Sequence, residues 1–399
     1  MTTSLILGQV ALGYSPLIDK QHIIGGTRLT IVPLRQDLSL APEDLCQVLH
    51  EVWPEGSKTG LLNVLHEGLL SELQGMPLPQ GLMLEWPAFM AGEEKLAEAI
   101  ESYRAKMHGL MLKGRSTTPL APEMRAAFKQ AVLDLDDVQN MAMPDVKLAT
   151  QGLPLLVAKV RDAEGVKKAF EMGAQGVIGW PTSGPFEAPE SSAKPAIQAD
   201  LQVIVELMSR VDQGEDISRL EETLKRDPSL AFKLLRYLNS AAFGLPVEVS
   251  SFRHAIMLLG YPRLKRWLAL LLTTASKDHA MRPIMYGALR RGLLMEELAK
   301  SMNDTELRDE MFICGLFSLL DHMLKQPFAR LLPSIPVPDR VREALIDHRG
   351  PFAPYLDLVR AIEDESVFDF RSAAERLMLS AEEINRAVVN ALAKAVQLE

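Results

Sequence analysis

The chain has 399 residues, 47% hydrophobic and 24% charged, which supplies well-filled cores and excludes wholesale disorder. Its net charge of −9 is spread over both halves, with 17 basic and 23 acidic residues in 1–199 and 26 and 29 in 200–399. Neither half offers the Lys and Arg excess that phosphate-backbone binding needs, and aromatics at 6% leave little for base stacking, so no direct nucleic-acid partner is expected.

Met1-Thr2-Thr3-Ser4 lacks the basic region that opens a signal peptide. In the C-terminal half the longest uncharged apolar run, Trp267 to Ser276, falls far short of the ~20 residues of a membrane span. Cys46 and Cys314 lie far apart in no metal or redox spacing, and read as two free, buried thiols of a reducing compartment. A cytoplasmic, soluble protein without a cofactor is expected.

From the N-terminus, short apolar runs recur at Leu5–Leu12, Thr27–Val32, Leu61–Leu65, Gly81–Trp86, Gly109–Lys113, Ala131–Leu135, Pro154–Val160 and Gly176–Trp180. Each is about strand length, and most precede an amphipathic stretch, of which Glu93–Met107 is the clearest helix. Continuous rather than alternating apolar character suits strands buried on both faces of a parallel sheet, and eight such runs predict a compact (β/α)8 barrel. Asp134 and Asp136 would share one strand face, as would Lys113 and Arg115, all with a solvated strand end as the plainer reading. The glycines of Gly173-Ala174-Gln175-Gly176-Val177-Ile178-Gly179 are similar to barrel turns that cradle phosphates, at low specificity.

After Trp180 the rhythm changes. Pro181 to Pro185 and Pro189 to Pro195 form a Pro- and Ser-rich linker, placed at 189–196 between a first domain at 1–188 and a second at 197–399. Beyond it helical periodicity takes over and no strand is expected. Asp216 caps Ile217–Lys225, Asp227-Pro228 opens another helix, and Ser380 with Glu383 forms a capping box for Ala381–Gln397.

The strongest local signal runs from Arg226 to Gly244 and on through Ser250 to Gly260. It reads as a helix with an apolar face at Leu230, Leu234, Leu235 and Leu238, a tight connection, a second helix, and a third started by Gly260-Tyr261-Pro262. Asp227, Pro228, Lys233, Leu234, Asn239, Ser240, Phe243 and Gly260 carry a pattern that resembles the HDOD domain, an all-helical relative of the HD phosphohydrolases in bacterial signalling proteins. The resemblance covers 197–399 and implies a helical regulatory or interaction module. Hydrolysis in the HD superfamily needs a His-Asp doublet with outlying ligands, and this chain has only Asp278-His279, Asp321-His322 and Asp347-His348. His254, inside the motif, reads as a hydrogen-bonded packing residue. Arg263, Lys265 and Arg266 stand as exposed basic candidates for an interaction surface, with a solvated face as the plainer reading.

With an HDOD-like region following it, the first half resembles the EAL barrel, the cyclic di-GMP phosphodiesterase fold. Gly13 to Lys20 is similar to that family's opening segment, Gly81 to Trp86 to the strand whose glutamate binds metal, and Gly176 to Trp180 with Ser183-Gly184-Pro185 to its last strand and the turn after it. The resemblance implies a site of several carboxylates around two divalent cations. Of those positions Glu85 alone keeps an acid; Thr27, Lys113, Gly114, Ala158 and Arg161 fall where acids are usual. One carboxylate cannot hold two divalent metals, and Lys113 and Arg161 would repel them.

The expected architecture is therefore α/β plus all-α: a TIM-barrel-like EAL domain that has lost its catalytic and metal sites, with Glu85 a vestige or a structural hydrogen-bond acceptor, followed by a helical HDOD domain. The expected function is non-catalytic signal transduction through contacts with other signalling proteins, without membrane or nucleic acid, and with a homodimer open. The alternatives are a sensor that binds cyclic di-GMP without hydrolysing it, for which Lys113, Arg115 and Lys159 could meet phosphates, and an enzyme with a disguised barrel site.

Overall fold

The computed structural model describes residues 5–35, 37, 39–53, 59–73, 76–91, 109–184, 199–225, 252–274 and 279–398. Eight strands close into one barrel in chain order: β1 Val10–Asp19, β2 Ile24–Pro33, β3 Thr59–Val64, β4 Met83–Pro87, β5 Gly109–Lys113, β6 Phe128–Asp134, β7 Leu155–Ala158 and β8 Gly176–Ile178. From Thr27 onward the apolar runs fall on strands. The helix expected at Glu93–Met107 lies outside the described residues.

β1 departs from the parallel-sheet expectation in two ways. Leu5–Gly8 forms a 3-10 turn and the strand starts only at Val10. It also runs antiparallel to both β2 and β8, whereas β2 to β8 are parallel to one another. Chain length explains this: a parallel pair needs a crossover of about a dozen residues or more, and Lys20–Ile23 allows only a hairpin. Asp19 builds the turn, its Oδ1 accepting from the N–H groups of Gln21 and Ile23 at 2.8 Å each.

Alternation along each strand sends every second side chain inward. Leu61, Met111, Val132, Leu156, Ala158 and Ile178 fill the interior. Outside, Leu133, Val157 and Val177 pack on Val146, Ala149, Val166 and Ala169 of the flanking helices Met143–Ala149 and Ala163–Glu171. Burial on both faces is why these strands read as unbroken apolar runs, each full-sized side chain contributing about 1.5–3 kcal/mol.

The chain forms two compact units: Met1–Gly184 with His279–Ile284 and Asp357–Ala393, and Pro185–Asp278 with Met285–Leu356 and Lys394–Glu399. The first unit thus takes in Asp357–Ala393, far along the chain from the strands. Asn385, fully buried on the helix Ala381–Leu398, donates from Nδ2 to the carbonyls of Leu7 and Val10 at 2.7 Å and accepts at Oδ1 from the N–H of Leu12 at 3.0 Å. Arg386 pairs with Glu51 of the helix Pro42–Val52. The predicted capping box opens this C-terminal helix, Ser380 N–H donating to Glu383 Oε2 at 2.8 Å and Glu383 N–H to Ser380 Oγ at 3.2 Å.

In the second unit every described element is helical, including Ala199–Asp212, Ile217–Lys225, Phe252–Thr274 and Thr305–Phe317. Asp216 accepts from Ser218 N–H at 2.8 Å, as a cap for Ile217–Lys225 should. Gly260, at φ 67 and ψ 169, breaks Phe252–Thr274 into two helices, the second opened by Pro262. That backbone region is open almost only to glycine. The motif residues Asp227, Pro228, Lys233, Leu234, Asn239, Ser240 and Phe243, and the linker 189–196, lie outside the described residues. Cys46 and Cys314 are buried and not joined in a disulfide, and no helix among the described residues is long and apolar enough to cross a membrane.

Candidate functional site: the mouth of the barrel

In barrels of this kind the chemistry sits where the parallel strands end. There the inward positions turn from apolar to polar: Arg28 and Thr30 on β2, Asn63 on β3, Glu85 on β4, Lys113 on β5 and Asp134 on β6. Arg28 is 2% exposed and Glu85 1%. The guanidinium meets the carboxylate in a two-point fork, Nε to Oε1 and Nη2 to Oε2, both 2.7 Å. Lys113 Nζ stands 3.7 Å from Glu85 Oε2 and donates to Asn63 Oδ1, while Asn63 Nδ2 donates to Thr30 Oγ1 at 3.2 Å.

Burial works against the Arg28 charge, but Glu85 and Glu365 outweigh it and raise its pKa above the ordinary arginine value. Burial draws the Lys113 ammonium below the usual lysine range, Glu85 opposing the shift and Arg28 adding to it. Glu365 reaches the same place from the turn between the helices Ala353–Glu363 and Val367–Leu377: its Oε1 accepts from Thr30 Oγ1 at 2.7 Å and from Ser15 Oγ and Arg28 Nη1 at 3.4 Å each. Its neighbour Asp364 pairs with Arg161 at 3.4 Å.

A divalent pair does not fit this donor set. Both oxygens of Glu85 are engaged by a permanent cation, and a second cation stands close by. Among the described residues, no group of three or more His, Cys, Asp or Glu side chains is arranged to hold a metal ion.

The other sequence candidates sort as follows. Thr27 lies on the opposite strand face from Arg28, so the inward cation at that point of β2 is Arg28. Gly114 forms a turn at φ 84 that ends β5, which separates Lys113 from Arg115; they do not share a face, and Arg115 pairs with Asp137 at 3.2 Å. Asp134 ends β6 and pairs with Lys159 at 2.7 Å, whereas Asp136 sits in the helical turn Leu135–Val138, off the strand face expected for it. Ala158 is part of the apolar interior. Gly173 ends a helix, its N–H donating to Phe170 O at 3.1 Å, and a Cβ on Gly179 would stand 2.1 Å from Val160 O. Helix capping and close backbone approach account for those glycines.

In the helical unit, Arg263 is exposed, but Lys265 and Arg266 do not form the expected open basic face. Lys265 pairs with Asp212. Arg266 forks onto Glu296 at 2.8 Å, reaches Asp309 at 3.2 Å and lies 3.8 Å over the Phe312 ring. His254 is half-buried on its helix. Asp321 and His322 are adjacent and poorly solvated, and burial pushes the Asp321 carboxyl up and the His322 imidazole down.

Sequence reasoning missed Arg28, Thr30, Asn63, Glu365 and Asn385. A signal existed for the first: an arginine in a strand otherwise buried on both faces requires a buried acid, and Glu85 stands alone in another apolar strand.

Comparison with known proteins places an HDOD domain at residues 197–324. Within that span lies the Gly260 kink. One relative is the uncharacterized protein YuxH of Bacillus subtilis (strain 168), 30% identical over 220 residues, 54% of this chain and 53% of that one. Another is the cyclic di-GMP phosphodiesterase CdgJ of Vibrio cholerae serotype O1, 28% identical over 179 residues, 45% of this chain and 41% of that one. The matches thus span about half or less of the length of these relatives. Among solved structures, the PaMucR phosphodiesterase in complex with c-di-GMP matches at 16% identity with a TM-score of 0.34, over 43% of this chain and 95% of that one.

Proposed function

We propose that this protein is a component of cyclic di-GMP signalling whose barrel does not hydrolyse phosphodiesters, and which acts through protein contacts made by its helical HDOD region. The HDOD match and the relative named as a cyclic di-GMP phosphodiesterase support the setting. The observation that carries the loss of chemistry is the buried Arg28–Glu85 fork. Divalent cations activate water and neutralise developing charge only when several carboxylates hold them. Here a guanidinium occupies the one acid kept, so we read Arg28, rather than Thr27, as the replacement for the first acid of the site.

Turnover of cyclic di-GMP with Mg²⁺ or Mn²⁺ tests this. The full chain should show none above a metal-free blank, whereas metal-dependent turnover abolished by Glu85→Ala would overturn the reading. Binding without hydrolysis is the second reading: a cleft of about 640 Å³ beside the mouth has Lys159, Arg161 and Lys168 in its wall, together with Asp136, Asp162, Glu164, Asp364 and Glu365. Calorimetric titration with cyclic di-GMP separates the two.

A further inference from the structure

Three features meet at Glu365. Its backbone stands at φ 56, the left-handed region that glycine adopts freely and a side chain resists. It ends the helix Ala353–Glu363 in the position where glycine is usual, with Ser366 N–H closing back on Ala361 O at 3.0 Å. β1 makes room for it: a Cβ on Gly13 would stand 2.8 Å from Glu365 Cγ and 3.0 Å from Ile362 O. Its carboxylate then meets donors at Ser15, Arg28 and Thr30. The helix-ending position accounts for that backbone, as it does at Lys325 and Met378, while the packing on Gly13 and the three donors fix where the carboxylate goes.

We propose that the mouth of the barrel is an oxyanion site that the chain fills with its own Glu365, and that when the turn 363–365 withdraws, the site takes a small phosphate or carboxylate anion. This rests on the reading of the Arg28–Glu85 fork as standing in place of a metal site. Arg28 is nearly fully buried, and although Glu85 holds its Nε and Nη2, its Nη1 faces Glu365, so that Nη1 and the Ser15 and Thr30 hydroxyls form a donor set for an oxyanion. Thr30 turns its hydroxyl to Glu365 while accepting from Asn63, which in turn accepts from Lys113, so the donor row extends from the carboxylate to the rim. The turn lines both a cavity of about 20 Å³, bounded by Ser15, Arg28, Lys159 and Trp180, and the larger cleft. Its withdrawal would join them into space for a molecule carrying the anion.

The test compares the full wild-type chain with Glu365→Gly and Glu365→Asn, both suited to a positive φ. Thermal unfolding is followed against inorganic phosphate and, separately, acetate, each matched by sodium chloride of equal ionic strength. Both variants should gain a saturable rise in midpoint with at least one anion, at an apparent Kd at least tenfold below that of the wild type. A phosphate-only or acetate-only response identifies the group the site prefers. Adding Ser15→Ala and Thr30→Val to Glu365→Gly should weaken the response. Variants no more responsive than wild type, or a response untouched by the loss of those two hydroxyls, would overturn the proposal. Metal-dependent turnover by the wild type would instead strike the reading beneath it.

Discussion

Replacing Glu85 by alanine asks whether that acid serves a metal or an arginine. An acid kept for a metal it lacks is buried among like charges or bare solvent, and removing it is neutral or stabilising. Here removal leaves Arg28, 2% exposed, with Glu365 at 3.4 Å as its ion-pair partner among the described residues. Breaking a buried pair on one side costs roughly 3–5 kcal/mol, and the remaining contact with Glu365 favours the lower end. At about 2–4 °C per kcal/mol for a unit of this size, the barrel should melt roughly 6–12 °C lower. Trp53, Trp86 and Trp180 all lie in that unit and report its unfolding by fluorescence. Removing both charges, as Arg28→Met with Glu85→Leu, should recover a large part of the loss, because neither member of the fork is then left without the other, although Lys113 and Glu365 each lose a neighbouring charge. Glu85→Ala as stable as wild type, or a double variant no better than the single, would refute the pairing as the reason for the acid.

Three further outcomes follow from other contacts. Asn385→Leu strands the carbonyls of Leu7 and Val10 and the N–H of Leu12, and should cost about 2–4 kcal/mol in denaturant unfolding of the barrel. Gly260→Ala must place a Cβ at φ 67 and ψ 169, and should destabilise the helical unit by about 1–3 kcal/mol, read by circular dichroism on heating. Burial alone would raise the Glu296 carboxyl, but the hydrogen bonds and charge of Arg266 outweigh it and hold it below the ordinary value. A carboxyl depressed on folding contributes stability that is complete above its unfolded pKa and is lost as pH falls through the folded one. The helical unit should therefore lose stability from about pH 4.5 downward, and Glu296→Gln should flatten that slope.

Strand positions were legible because burial on both faces writes itself as an apolar run; Gly109–Lys113 coincides with β5 residue for residue. The direction of β1 was not, since it depends on a connection too short to cross over. Helix starts at Asp216 and Ser380 were legible because caps are local chemistry. The mouth was half legible. Strand phase decides which of Thr27 and Arg28 faces inward, and a one-residue slip reverses it. Glu365 and Asn385 lie more than 300 residues from their partners, and no local pattern joins them. For the same reason the return of Asp357–Ala393 to the barrel could not be read from helical periodicity, which is alike in both units.

The persistence of Glu85 has a physical account that needs no residual activity, and it carries a consequence for restoring a metal site. Arg28→Glu alone would place a second carboxylate beside Glu85 in a buried tier, with Glu365 as a third nearby and Lys113 at 3.7 Å from Glu85. Like charges packed out of water are costly, so one carboxyl would take up a proton and the unit would lose stability rather than gain a metal. A divalent ion needs its oxygens convergent and its competitors gone, which here means changing Lys113 and Ala158 to acids as well, and displacing the turn that carries Glu365. The triple replacement with Glu365→Gly should bind Mn²⁺ in calorimetry where Arg28→Glu does not. Equal Mn²⁺ binding by Arg28→Glu would mean that the arginine alone, and not the whole donor set, separates this barrel from a metal-binding one.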